Sequence, residues 1–266
     1  MINRWMWAAG VAAAVLLGAA NPALAASKAP TATPDAAARY RACLARVATD
    51  PFAAVQEARA WQDAGGGDPA RHCAAAGKLA LGQSAEAAED LEHLAATDGI
   101  PLDRQTMLFT QAAEAWLQAG RSQRAVDVMD RALAVRPGDP GLLMERARAE
   151  VEGGQTDRAI ADLGLAIDVD PLQPEAYVLR ASALRRTGAF DRAAADLATA
   201  LSLDPRQPDA LLERGLLRQA AGDQAGAVAD WTAVVNGAPT SAAAEMARRH
   251  LAMGQGGHPG GKPGGG

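Results

Sequence analysis

Small, large and helix-breaking residues recur along this chain at a fixed spacing of 34 residues. Ala125, Ala159, Ala193 and Ala227 hold one phase of the pattern. Gly120, Gly154, Gly188 and Gly222 hold a second, and Pro137, Pro171, Pro205 and Pro239 a third. Pro174–Gln207 is the clearest copy: two apolar stripes at helical spacing, separated by a glycine and closed by a proline. A period of this size marks a stack of helix–turn–helix units, because one such unit cannot bury its own apolar face. The expected fold class is all-α.

Taken in order, Asp35–Val47 and Pro51–Asp63 read as two helices, broken at Thr49-Asp50-Pro51 and ended by Gly65-Gly66-Gly67. Pro69–Leu81 and Ala85–Ala96 form a clearer pair about Gly82. Residues 35–101 are thus expected to hold two degenerate helix pairs. The next phase slips by four residues, Leu102–Gln105, which is about one helical turn. Either the following helix starts one turn early, at Pro101, or a hinge lies there. Four units then run without interruption from 106, 140, 174 and 208 to 241. Ser241 can cap a last helix, Ala242–Met253, with Glu245, Arg248 and Arg249 on its polar side. Residues 26–34 and 254–266 read as a Pro/Ala/Thr linker and a Gly/Pro-rich tail, both expected to be disordered.

Within a unit the residue sizes follow one rule. The Pro174 unit places Tyr177, Ala181, Leu184, Gly188, Ala193, Leu197, Ala200 and Pro205 at positions 4, 8, 11, 15, 20, 24, 27 and 32. The Thr106 unit has Phe109, Ala113, Trp116, Gly120, Ala125, Met129, Ala132 and Pro137 there. This pattern resembles the tetratricopeptide repeat. The resemblance covers four strong units and one or two weak ones. It implies a right-handed α-solenoid of antiparallel helix pairs, coiled as a superhelix. Glu150 and Arg218 depart from it at position 11, where a thinner interface is expected.

Arg146, Arg180 and Arg214 stand at position 7, and Asp162, Asp196 and Asp230 follow each by 16 residues. In the Thr106 unit both are replaced together, by Ala112 and Val128. The expected arrangement is a structural ion pair between the two helices of each unit; an anion-binding arginine ladder is the alternative. The resemblance further implies that positions 2, 5, 9, 12 and 13 of the first helix line a concave binding face. The candidate contacts are Met144, Arg148, Val178, Ser182, Arg185, Arg186, Leu212 and Gln219, with Thr110, Glu114, Leu117, Gln118, Val151, Glu152, Glu175, Asp209 and Leu216 around them. A basic centre at Arg148, Arg185 and Arg186 would suit a peptide with an acidic residue or free carboxylate; a plain solvated face is the other reading. The Lys/Asn set that clamps a C-terminal carboxylate in some family members is absent, its positions being Met144, Arg148, Val178 and Ser182.

Met1–Ala25 reads as a signal peptide: Arg4, the apolar stretch Trp5–Ala20, and Ala23-Leu24-Ala25 as cleavage site, with cleavage after Ala25. The expected location is the periplasm, with no membrane span after cleavage. Cys43 and Cys73 then favour a disulfide, with a metal or redox pair beside His72 as the alternative. The net charge of −5 carries no footprint for nucleic acid. The four histidines form no catalytic or metal motif, Glu89 and His93 reading as a surface pair. No cofactor and no enzymatic activity are expected. The expected function is a protein–protein interaction scaffold of the cell envelope that binds a protein or peptide. A structural assembly subunit or chaperone-like factor of a periplasmic complex is the alternative. Oligomeric state is not legible.

Overall fold

The computed structural model describes residues 34–255. The stretch 1–25 expected to be a signal peptide, and nearly all of the expected linker and tail, lie outside the described residues. The described chain is all α-helix: α1 (Pro34–Thr49), α2 (Pro51–Asp63), α3 (Gly67–Ala80), α4 (Ser84–Ala95), α5 (Leu102–Gln118), α6 (Ser122–Val135), α7 (Pro140–Glu152), α8 (Thr156–Val169), α9 (Pro174–Arg186), α10 (Phe190–Leu203), α11 (Pro208–Ala220), α12 (Gln224–Gly237) and α13 (Ala242–Gln255). They divide into two compact units, one holding α1–α8 and one holding α9–α13. In each, helices pack as hairpins: α3 with α4, α5 with α6 and α7 with α8 in the first, and α9 with α10 and α11 with α12 in the second. This is the all-α helical repeat fold.

The local sequence explains each hairpin. Gly120, Gly154, Gly188 and Gly222 turn the chain at φ +70, +77, +83 and +84°, in the left-handed region that glycine enters without penalty. Pro140, Pro174 and Pro208 open α7, α9 and α11, where a missing N–H leaves no bond unmade. Asp139 accepts the Leu142 N–H at 3.1 Å, and the Ser241 hydroxyl accepts that of Ala244 at 3.0 Å. α5 begins at Leu102, one turn ahead of the repeat phase at Thr106.

Small residues set the distance between the paired helices. Ala125, Ala159, Ala193 and Ala227 are fully buried. In the last hairpin the sizes are traded: Trp231, fully buried, stands where the others carry Met129, Leu163 and Leu197, and Gly215 stands where they carry Ala113, Ala147 and Ala181. Trp231 donates its indole N–H to the Leu212 carbonyl at 3.4 Å and stacks on His250 of α13 at 4.9 Å. At the other end a disulfide between Cys43 and Cys73, with Cα atoms 6.3 Å apart, joins α1 to α3 inside a cluster with Val47, Ala54, Ala58, Ala74 and Ala76.

A methyl group added at Gly215 would approach the Trp231 ring to well under van der Waals distance. Gly215→Ala therefore lowers stability by about 1–3 kcal/mol through overpacking, outweighing the roughly 1 kcal/mol by which alanine favours a helix. Paired with Trp231→Leu, the same substitution is close to neutral. Thermal melts of the two single variants and the double variant measure this; a stabilised Gly215→Ala would refute it.

Candidate protein-interaction face

The first helices of the hairpins also touch one another. α5 meets α7 in one unit; α9 meets α11, and α11 meets α13, in the other. That contact changes the expected binding face. Met144, Val178, Ser182 and Leu212 are buried, with Ser182 at 2% exposure. Buried in the folded chain, these side chains are not available to a partner. Arg185 is also committed inward. Its Nε donates to Glu213 Oε2 at 2.8 Å, while the Ser182 hydroxyl donates to Glu213 Oε1 at 3.0 Å. Glu213 is itself buried, so this is an internal link between α9 and α11.

What stays accessible is narrower and mixed in charge. Arg186 and Gln219 are exposed. Arg148 is partly exposed, with its NH1 3.3 Å from Glu145. Burial and the Glu145 charge push the Glu114 carboxyl above its usual range, and Arg148 opposes them. A uniformly basic centre is therefore not what the side chains form: Glu145 and Glu213 stand beside two of its three arginines.

The arginines of position 7 lie on the scaffold. Arg180 bonds both oxygens of Asp196 at 2.8 Å, and Arg214 bonds those of Asp230 at 3.0 and 2.7 Å. Arg146 bonds Asp162 at 2.6 and 2.8 Å and also Asp130 at 2.7 Å, which holds its guanidinium more firmly protonated than usual. In the Thr106 unit Ala112 and Val128 are buried apolar side chains in the same two places. There the cations lie elsewhere: Arg124 and Arg131 stack over Trp116 and Phe109 at 4.9 and 4.6 Å. Glu92 of α4 accepts from both arginines and from the Trp116 indole.

Position 11 shows how the two departures from the pattern are accommodated. Arg218 reaches Asp230 at 2.8 Å, joining Arg214 on one carboxylate. Glu150 fares worse. It is wholly buried and neither oxygen has a hydrogen bond, although Arg158 Nε lies 3.1 Å away. Burial, reinforced by Asp162 and against the pull of Arg158 and Arg146, raises its carboxyl to about 7.

Three polar groups carried no periodic signal. Tyr40 of α1 donates to His72 Nδ1 at 2.8 Å, and His72 Nε2 donates to the Gln111 side-chain oxygen at 2.9 Å, linking α1, α3 and α5. Burial holds the His72 ring neutral and pushes the Tyr40 hydroxyl to about 12. Glu92 has no acidic counterpart at intervals of 34; Glu213 has one, Glu145, but Leu117 stands where the partner Arg185 would be. Among the described residues, no group of three or more His, Cys, Asp or Glu side chains is placed to hold a metal ion. No helix is long and apolar enough to cross a membrane.

Stacked helical hairpins with this phase of small residues, glycine and proline define a class of repeat protein built for protein interaction. Family models described as tetratricopeptide repeat match residues 111–183 in one version and 75–140 and 179–242 in another. The chain belongs to the tetratricopeptide repeat family. A MamA fragment (41-end) from Desulfovibrio magneticus RS-1 is 22% identical, over 62% of this chain and 92% of that one, with a TM-score of 0.50; it shares the fold. YrrB, described as a TPR protein with an unusual peptide-binding site, is 16% identical over 72% and 96%, with a TM-score of 0.45. The first TPR of Spaghetti (RPAP3), bound to the HSP90 peptide SRMEEVD, is 22% identical over 44% and 93%, with a TM-score of 0.41. No curated protein matches the chain.

Two outcomes are expected from the buried charges. The unfolded Glu150 carboxyl titrates near its ordinary 4.5 and the folded one near 7. Between those values the folded chain keeps a proton that the unfolded chain has released, so stability falls as pH rises through this window and the loss is complete above it. The loss is on the order of 3 kcal/mol. Glu150→Gln removes it, so the variant is more stable than the parent at pH 8 and close to it at pH 4; melts across pH check this. Separately, Asp196→Ala removes the carboxylate that Arg180 bonds through both oxygens and costs about 3–5 kcal/mol, whereas Arg180→Met with Asp196→Leu costs much less. Equal losses in denaturant titrations would refute the second expectation.

Proposed function

We propose that this chain is a non-catalytic interaction scaffold of the cell envelope, holding a protein or peptide partner along the first helices of its repeats. The observation that carries the reading is a division of labour within the 34-residue period. Scaffold positions repeat the same residue, as in Ala125, Ala159, Ala193 and Ala227, while the accessible edge changes from Gln118 to Glu152 to Arg186. Invariant support beneath a varied surface is what selective recognition needs. Arg148, Arg186 and Gln219 are the partner-contacting residues. The signal-like Met1–Ala25 stretch and the Cys43–Cys73 disulfide support export to the periplasm, with cleavage after Ala25.

A second reading draws on the burial of Met144, Val178 and Leu212. With these withdrawn, the face offers few apolar pockets for an extended peptide, which favours the polar rim of a folded partner. The chain would then be an assembly subunit or chaperone-like factor of a periplasmic complex.

Cell fractionation with N-terminal sequencing is expected to find the protein in the periplasm beginning at Ala26. Crosslinked capture is expected to recover a partner whose yield falls about tenfold with Arg186→Glu and Gln219→Glu together. Recovery unchanged by that pair, or a cytoplasmic chain still carrying its leader, would overturn the reading. Saturable binding on a peptide array favours a peptide partner; one folded partner at fixed stoichiometry favours assembly.

A further inference from the structure

Away from the first-helix edge, a cleft of about 340 Å³ opens among α2, α3 and α4. Arg59 and Gln62 reach it from α2, Arg71 and Lys78 from α3, and Asp90 and His93 from α4. Lys78 is its inner member: the side chain is 13% exposed and its Nζ lies 2.5 Å from Asp90 Oδ2. Neither Arg59 nor Arg71 has an ion-pair partner among the described residues. Three cations therefore face a single carboxylate around one cavity, in a chain whose net charge is −5. Several other arginines of this unit are used: Arg39 lies over the Trp61 ring, Arg46 pairs with Glu57, and Arg124 and Arg131 with Glu92.

We propose that this cleft binds a tetrahedral oxyanion, a phosphate or sulfate group. The donor set decides the chemistry. A carboxylate has two oxygens and is satisfied by one guanidinium fork. Two forks, an ammonium and the Gln62 amide offer more donors than that, converging from two helices, and suit a group with three or four oxygens. The surplus charge matches a dianion, since a phosphate carries close to two negative charges at neutral pH. His93 lines the same cleft, its ring oriented by donation from Nδ1 to the Glu89 carbonyl at 3.0 Å.

The test is calorimetric titration of the exported chain at constant ionic strength, with inorganic phosphate, glycerol 1-phosphate and acetate as probes. Saturable phosphate binding is expected with a Kd below about 1 mM. Arg59→Gln with Arg71→Gln weakens it about tenfold or more, and Arg192→Gln on α10 leaves it unchanged. Arg59 and Arg71 are exposed, and matching melting curves verify that the double variant is folded. If glycerol 1-phosphate binds as tightly as phosphate, the group is held as a monoester; if only phosphate binds, the ligand is the free ion. The proposal fails if phosphate does not saturate below about 10 mM, if acetate binds as tightly, or if the double variant binds like the parent.

Discussion

Every hairpin in this protein depends on one close approach, where the second helix meets the first over a buried alanine. Ala125, Ala159, Ala193 and Ala227 expose no surface at all. A methyl group there lets two backbones come near enough for the larger side chains on either side to interlock, and anything bulkier would separate them. The glycine turn, the proline that opens the next helix and the large residues at positions 4 and 24 all presuppose that spacing. Even the exception keeps it. Trp231 brings a large ring into the last hairpin, and the residue opposite it shrinks to Gly215.

Around this constant core the chain handles buried charge in several ways. Three hairpins join their helices by a two-pronged arginine–aspartate bond. The Thr106 hairpin fills the same two positions with Ala112 and Val128 and moves its arginines onto aromatic faces, gathered by Glu92. Both solutions leave no stranded charge, which is the condition buried ions must meet. Glu150 meets it only in part, with Arg158 3.1 Å away but no hydrogen bond, and burial makes its carboxyl hold its proton to near neutrality.

The difference between what could and could not be read in the sequence follows from periodicity. Helices, turns and the tetratricopeptide family were legible because one residue does one job in every unit. Partners that recur in phase, such as Arg180 and Asp196, are visible for the same reason. The accessible face was less legible because it depends on contacts between one unit and the next. Met144, Val178 and Leu212 look available on a single helix, yet all three are buried in the folded chain. Glu213 neutralises Arg185 from another helix, 28 residues away; Glu145 holds the same phase, but Leu117 stands where the arginine would be, so the pair does not recur. The Tyr40–His72–Gln111 chain is equally singular.

The disulfide at the amino-terminal end has a mechanical meaning. A row of repeats holds together like a zipper, each element gripped only by its neighbours, so its terminal elements are the first to fray. α1 is such an element, packing chiefly on α2 and α3. The Cys43–Cys73 bond stitches it to α3 across α2, so α1 cannot peel away without carrying the following hairpin with it. The last helix, α13, has no covalent tie of this kind; it is held by packing, with the His250 ring on Trp231, and by hydrogen bonds such as Arg248 to the Pro239 carbonyl at 2.6 Å. One unit is thus sewn at its first helix and the other merely clasped at its last, so the two terminal helices do not let go with equal ease.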